Sequence, residues 1–307
     1  MQNTIVNVNG QIQSFDPARA HQDYRISTFD RSYLYGDSLY EVARTYGGRF
    51  FALDEHLHRL EQSGRLCKME FKQSLAHYKA EMQRSLDAFY EKLGQKPGPG
   101  APEAYCRIVI SRGEGKIGFG NNCVASSTLY TIIVQKLDEP TAEQLAKGYK
   151  MQISRRLRND PRALDPAMKS GNYLNSLLAY LDAAEEGFDD ALLVNYDGFL
   201  TEGTTFNLFY VNRGIIATPP LDIGILDGIT RRKLIDLARE SGMEVREVRF
   251  PRERLYEADE VFLSSTIKEA FPITQVDGHR IGKGKPGPVT MKLRAEFQKR
   301  VKAEMGT

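Results

Sequence analysis

Ala191-Leu192-Leu193-Val194-Asn195-Tyr196-Asp197-Gly198-Phe199-Leu200-Thr201-Glu202-Gly203-Thr204-Thr205-Phe206-Asn207 is the stretch on which the fold reading turns. Apolar residues flank Asp197-Gly198, a dipeptide that accepts the positive φ of a hairpin turn, so 191–195 and 199–211 are expected to be paired strands. Immediately upstream, 172–186 has helical spacing and stops at Gly187. Downstream, 230–242 is an expected helix, 245–250 and 260–264 are strands, and 289–304 is a closing helix. Toward the N-terminus a strand at 4–8 turns at Gly10. Asp54 is placed to cap a helix carrying His56, Leu57, Leu60 and Leu66, and a longer helix covers 73–93. Gln95-Lys96-Pro97-Gly98-Pro99-Gly100 cannot continue it and forms a surface loop. Strands at 105–111 and 129–135 follow, and another at 151–154. Helices interleaved with hairpins, without any internal repeat, predict a two-domain α/β (α+β) chain and not a uniform βαβ array. Leu137-Asp138-Glu139-Pro140 marks the boundary, because a proline and polar residues follow a strand there.

The bulk numbers narrow the function. The chain has 307 residues, 41% hydrophobic and 27% charged, with a net charge of +2. That balance provides no basic surface for nucleic acid. Apolar runs such as Thr131-Ile132-Ile133-Val134 are strand-sized, which argues against a membrane partner. Met1-Gln2-Asn3-Thr4-Ile5-Val6 lacks the pattern of a secretory leader. Three widely spaced cysteines, Cys67, Cys106 and Cys123, fit a reduced cytoplasmic protein better than a disulfide scaffold. No CxxC or clustered ligand set points to a metal.

Two residues carry the chemical reading. Lys169 lies in Ala167-Met168-Lys169-Ser170-Gly171-Asn172-Tyr173, before a helix, and Glu202 lies in the returning hairpin. An amine that forms an imine and an acid that keeps a heteroaromatic nitrogen protonated are the groups a pyridoxal phosphate enzyme needs. A lone lysine before a helix is ordinarily solvated, and a lone glutamate at a hairpin end is ordinary too. Tyr173 could serve the phenolic oxygen of the same ring or simply pack on the helix. A phosphate asks for amides at a helix start, hydroxyls and a cation. Leu226-Asp227-Gly228-Ile229-Thr230, Ser264-Ser265-Thr266 and Arg59 supply them, though singly each reads as a helix cap, a strand end or a surface arginine.

Other patterns are set aside. Gly113-Glu114-Gly115-Lys116-Ile117-Gly118 matches GxGxxG but leads into a loop-like stretch at 119–128 and another strand, not the helix a dinucleotide site requires. His56 and His58 point to different faces of a helix, a poor metal pair. No serine has a nucleophile-elbow context.

Taken together, these motifs resemble the fold-type IV (class IV) pyridoxal phosphate aminotransferases in order and over nearly the whole chain. The carrying stretches are Phe29 to Glu41, Arg59 in an "EHLxRL" run, Lys169, Tyr173, the "DGxxTEGxxxN" segment from Asp197 to Asn207, Gly228-Ile229-Thr230-Arg231, and Ser265-Thr266. The resemblance implies a small N-terminal α/β domain at 1–137, a linker at 138–148 and a larger C-terminal cofactor-binding domain at 149–307. It further implies pyridoxal 5'-phosphate between the domains and a homodimer. Lys169 would be the catalytic lysine. Arg59, Tyr173, Glu202, Ile229, Thr230 and Thr266 would join it in binding the cofactor.

Tyr105-Cys106-Arg107 resembles the Tyr-x-Arg of branched-chain enzymes, with Tyr35 and Tyr40 as side-chain pocket walls and Ser265 near the substrate. The implied reaction is ping-pong transfer of an amino group between a branched-chain L-amino acid and 2-oxoglutarate. Ser264-Ser265-Thr266 looks more like the turn of D-amino acid enzymes. The Arg-x-His pair those enzymes carry is absent after Ser111-Arg112-Gly113. A D-amino acid transaminase and an aminodeoxychorismate lyase are the enzyme alternatives, and a non-catalytic binding module on the same fold is the alternative of another class.

Overall fold

The computed structural model describes residues 3–16, 24–120, 123 and 127–306. Met1-Gln2 of the leader reading, and 121, 122 and 124–126 of the 119–128 connection, lie outside them. The chain divides into two compact units: Met1–Asp138 with Met168–Asn172 and Lys302–Thr307, and Glu139–Ala167 with Tyr173–Val301. The short return of 168–172 to the first unit is a crossing that linear boundaries at 137 and 148 do not contain.

In the first unit, β1 (Ile5–Val8) and β2 (Gln11–Ser14) form a hairpin whose turn holds Gly10 at φ 90°. Helix α1 (Arg31–Tyr35) starts on the Asp30 side chain and leads to β3 (Ser38–Tyr46) and β4 (Arg49–Phe50). Then come α2 (Leu53–Leu66), α3 (Leu75–Leu93), β5 (Ala104–Ser111) and β6 (Leu129–Lys136). The six strands order as β2-β1-β6-β5-β3-β4, all neighbours antiparallel. One face alternates cleanly. Ala104, Cys106, Ile108 and Ile110 of β5 are all fully buried, and with Leu57, Leu60, Met82 and Phe89 of the helices they form a single core. Burial pushes the Cys106 thiol well above its ordinary range, so it is a packed, inert side chain. Asp54 does not cap α2: it lies within the first turn, the N-cap is Ala52 in left-handed conformation, and Asp54 instead accepts from Lys79 at 2.7 Å.

The second unit begins with α4 (Ala142–Lys147), β7 (Tyr149–Leu157), α5 (Leu174–Glu185), β8 (Asp190–Val194) and β9 (Leu200–Gly203). It continues with β10 (Asn207–Asn212), β11 (Ile215–Thr218), α6 (Ile229–Glu240), β12 (Val245–Glu247) and α7 (Glu253–Tyr256). Last are β13 (Glu260–Ser265), β14 (Glu269–Val276), β15 (His279–Arg280) and α8 (Pro288–Met305). The expected 199–211 strand is broken. β9 stops at Gly203 and β10 starts at Asn207, because Gly203 N–H bonds the Phe206 carbonyl at 2.9 Å and closes a tight turn. The break puts Glu202 directly opposite Asn207. That one pair closes a ring of strands, β10-β13-β14-β7-β8-β9 and back to β10. Leu192, Leu200, Leu208, Leu263 and Phe271 belong to its core. The closed ring removes two sheet edges and fixes Glu202 where they meet.

The mixed helix-and-strand class expected from the sequence is the one observed. Among the described residues no helix is long and apolar enough to cross a membrane. The core assignment has a direct check. Phe271→Ala empties a fully buried site and is expected to cost about 3–5 kcal/mol in urea unfolding; a loss below about 1 kcal/mol would contradict it.

Candidate functional site

Lys169 is held by its backbone. Its N–H bonds Ser63 Oγ of α2 at 3.1 Å, and its carbonyl accepts from Tyr40 N of β3 at 3.0 Å. Leu39 and Ser170 bridge, and Gly171 N bonds the Ser38 carbonyl at 2.7 Å, so 168–172 runs as an added edge beside β3. The approach at Gly171 is close: a Cβ there would lie 2.2 Å from Ser38 Oγ, which would have to move. The lysine is half-buried, and its Nζ donates to the Tyr40 hydroxyl at 3.0 Å.

Tyr40, Tyr105 and Arg107 share a sheet face. The register pairs Val109 with Tyr40, Arg107 with Val42 and Tyr105 with Arg44, which puts all three opposite the core face. The Arg107 guanidinium sits 4.1 Å from the centre of the Tyr40 ring. A cation therefore stands beside the ring that the lysine amine touches. Tyr35 makes different contacts: its hydroxyl accepts from Gly118 N at 3.0 Å and its ring meets Phe119 at 5.1 Å. The GxGxxG stretch is thus a loop strapped to α1, with Gly113 and Gly115 also bonded to Arg31 and Phe29.

Arg59 comes from the buried face of α2, which also carries His56 and Ser63. Its Nε and Nη2 bond the two oxygens of Glu41 at 2.7 and 2.8 Å, and His56 Nδ1 lies 2.8 Å from Glu41 Oε2. Burial works to raise the Glu41 carboxyl, but Arg59 beside it, aided by His56, holds it far below the ordinary carboxylate range. Burial also pushes His56 down, against the pull of Glu41, so the ring is neutral at pH 7 and its Nδ1–H is the donor. His58 bonds the Asp54 carbonyl at 2.7 Å instead, as two-residue spacing on a helix dictates.

In the second unit Glu202 is buried on β9 and accepts four hydrogen bonds. Oε1 takes Arg158 Nε and Nη2 at 3.0 and 2.8 Å; Oε2 takes Leu226 N at 3.1 Å and Asn207 Nδ2 at 3.3 Å. Helix α6 opens nearby at Gly228, where a Cβ would strike Asn207 Oδ1 at 2.0 Å. No side chain caps α6. Its first-turn amides, with Ile229 and Thr230 buried, form a ready anion site. Asn207 pairs in register with Ser264, whose buried hydroxyl has no partner among the described residues. Ser265 and Thr266 are half-buried at the end of β13, and Ser265 Oγ accepts from Lys268 N at 3.1 Å. Tyr173 is the half-buried N-cap of α5.

Two arginines that brace these residues escaped the sequence reading. Arg158, in the polar run Arg155-Arg156-Leu157-Arg158, looks solvated, yet it holds Glu202. Arg294 of α8 bonds the carbonyls of Lys268 and Ala270 at 2.6 and 2.9 Å and pairs with Glu269 at 3.0 Å, bracing the turn after Thr266. Glu269 itself sits at φ 58°. Neither arginine has a local motif; only the fold brings them in.

The first unit thus holds a half-buried amine with a nearby cation. The second, by itself, holds a buried carboxylate paired with arginine and a helix start near a buried hydroxyl. Residues 38–276 match the family model described as amino-transferase class IV. The chain belongs to the class IV aminotransferases. The putative branched-chain-amino-acid aminotransferase of Methanocaldococcus jannaschii is 36% identical over 278 residues, 90% of this chain and 91% of that one. The D-alanine aminotransferase of Bacillus licheniformis is 33% identical over 275 residues, 90% and 91% of the two chains. Among solved structures, the Escherichia coli branched-chain amino acid aminotransferase superposes with a TM-score of 0.84 at 31% identity, covering 96% of this chain and 93% of that one.

This aminotransferase carries a pH signature. The depressed Glu41 carboxyl contributes stability that is complete above the ordinary glutamate range and is lost as pH falls through it toward the folded value. Melting temperatures of wild type and Glu41→Gln should therefore differ most near pH 7 and by progressively less as pH falls below the ordinary glutamate range. A gap that is constant with pH would contradict the assignment.

Proposed function

We propose that this aminotransferase binds pyridoxal 5'-phosphate and moves an amino group between a branched-chain L-amino acid and 2-oxoglutarate in a ping-pong cycle. The observation that carries this is the Lys169 amine bonded to Tyr40, with Arg107 stacked on the same ring. A base for the substrate's α-proton and a cation for its α-carboxylate meet there on one sheet face. When bound, the cofactor supplies an electron sink for the bond broken at the substrate's α-carbon.

The chain's own residues do the rest. Lys169 Nζ accepts the proton leaving the α-carbon and later returns it, its backbone fixed while its four-carbon arm moves. Tyr40 Oη steadies the amine between those transfers. Arg107, with Tyr105 beside it and Ser265, orients the substrate carboxylate, and Tyr35 and Tyr40 line its side chain. Glu202 accepts from a protonated ring nitrogen. Arg158 holds that acid in place through Oε1, and the bond from Asn207 is the longest of the four it already accepts. Tyr173 serves the ring's phenolic oxygen. The amides of Ile229 and Thr230, the Thr266 hydroxyl and Arg59 hold the phosphate.

The Bacillus licheniformis relative and the Ser264-Ser265-Thr266 turn favour a second reading, a D-amino acid transaminase. The Methanocaldococcus jannaschii relative, the Escherichia coli structure and the Tyr105 and Arg107 pair support the L-branched-chain reading. Mixing the cofactor-loaded yellow protein with L-leucine should bleach its visible band within seconds, while D-alanine leaves it. Bleaching by D-alanine alone would replace the first reading with the second, and a protein that takes up no chromophore would refute both.

Helix α5 turns Leu174, Leu177, Tyr180 and Leu181 to solvent, 42–65% exposed along one stripe. We take a second copy of the chain as its cover, giving a homodimer. The thiols of Cys67 and Cys106 support a reducing, cytoplasmic setting. Sedimentation should give a dimer, and Leu177→Glu with Leu181→Glu should give a monomer. An unshifted double variant would remove this stripe from the interface.

A further inference from the structure

Glu41, His56 and Arg59 form a buried polar cluster in the first unit. Glu41 is fully buried, His56 is 2% exposed and Arg59 is 6% exposed. An apolar residue at this core-facing position of β3 would pack against the α2 leucines without any desolvation cost, so a carboxylate here is not explained by stability. Its geometry is specific. The contact is side-on, through Nε and Nη2 of Arg59, one to each oxygen, which fixes the guanidinium plane. His56 donates to Oε2, the same oxygen that takes Arg59 Nη2, and so stops the carboxylate from rotating. Helical spacing brings His56, Arg59 and Ser63 onto one face of α2, and Ser63 holds the Lys169 backbone. The frame that orients the arginine is therefore continuous with the frame that places the lysine.

We propose that Glu41, locked by His56, is a positioning residue that aims Arg59 at the cofactor phosphate; this rests on the reading of Arg59 as the phosphate cation. Charge and positioning make opposite forecasts. Neutralising Glu41 removes a buried negative charge next to Arg59, so a purely electrostatic role for the cluster requires tighter phosphate binding in Glu41→Gln. Positioning requires weaker binding, because the glutamine amide turns a donor toward the guanidinium and breaks the two-point contact. A structural role alone would change folding but would affect ligands with and without phosphate equally.

The readout is the ratio of the dissociation constants of pyridoxal and pyridoxal 5'-phosphate, titrated by absorbance onto the full-length, cofactor-stripped chain. The expected result is a phosphate preference lowered about tenfold or more in Glu41→Gln, the scale of one charge-assisted hydrogen bond. Pyridoxal affinity should stay within about threefold of wild type, well inside one decade of binding free energy. His56→Leu, which removes the lock but keeps the ion pair, should shift the ratio in the same direction by less, and it decides the matter if Glu41→Gln does not fold. Arg59→Lys separates the two levels of the claim. If it keeps the wild-type ratio, the assignment of Arg59 to the phosphate fails. If it loses the preference while the Glu41 or His56 variant keeps or raises it, positioning by Glu41 is overturned.

Discussion

The backbone clamp on Lys169 is the constraint from which the first unit's site follows. A lysine tethered only by its side chain would spend its amine on the tether. Here Ser63 and Tyr40 take the main-chain N–H and carbonyl, so position is set by two ordinary hydrogen bonds and the amine keeps its reach. The clamp also explains why Met168–Asn172 groups with the first unit although its sequence neighbours on both sides belong to the second. The Gly171 contact completes it: its N–H bonds the Ser38 carbonyl, and the absent side chain leaves room for the Ser38 hydroxyl.

In each unit a buried carboxylate meets an arginine through two nitrogens. Glu41 meets Arg59 with one nitrogen on each oxygen, and Glu202 meets Arg158 with both nitrogens on a single oxygen. The difference matters. Glu41 has both oxygens committed to the core, which suits a role in orienting its partner. Glu202 keeps Oε2 for softer contacts with Leu226 and Asn207, at 3.1 and 3.3 Å, which suits an acid that must also serve a ligand. Buried ion pairs seldom stabilise a fold by themselves.

Much of this was legible in the sequence where one physical pattern dominates. Asp197-Gly198 marked a hairpin because its φ requirement is local, and Gly198 does adopt φ 82°. Strand β5 was legible because its core face is uninterrupted. Strand β3 was not read as a strand, because Glu41 and Arg44 interrupt its apolar pattern. Both are buried by partners that the local sequence does not announce: Arg59 pairs with Glu41, and the Arg44 guanidinium lies 4.0 Å from the centre of the Tyr46 ring. The 199–211 run hid the turn at Gly203 to Phe206, since threonines and phenylalanine are good strand formers. Arg158 and Arg294 were invisible because ion pairs between distant segments leave no spacing signal. Tyr40 was placed on the pocket wall by resemblance, and the structure adds its bond to Lys169.

The central claim is that Lys169 is the residue that bonds the cofactor. Borohydride reduction of the pyridoxal 5'-phosphate-loaded protein, followed by proteolysis and peptide mass mapping, tests it most directly. The predicted result is a single phosphopyridoxyl label on the peptide containing Met168, Lys169 and Ser170. A label on any other lysine, or an equal label on a Lys169→Ala variant, would contradict it.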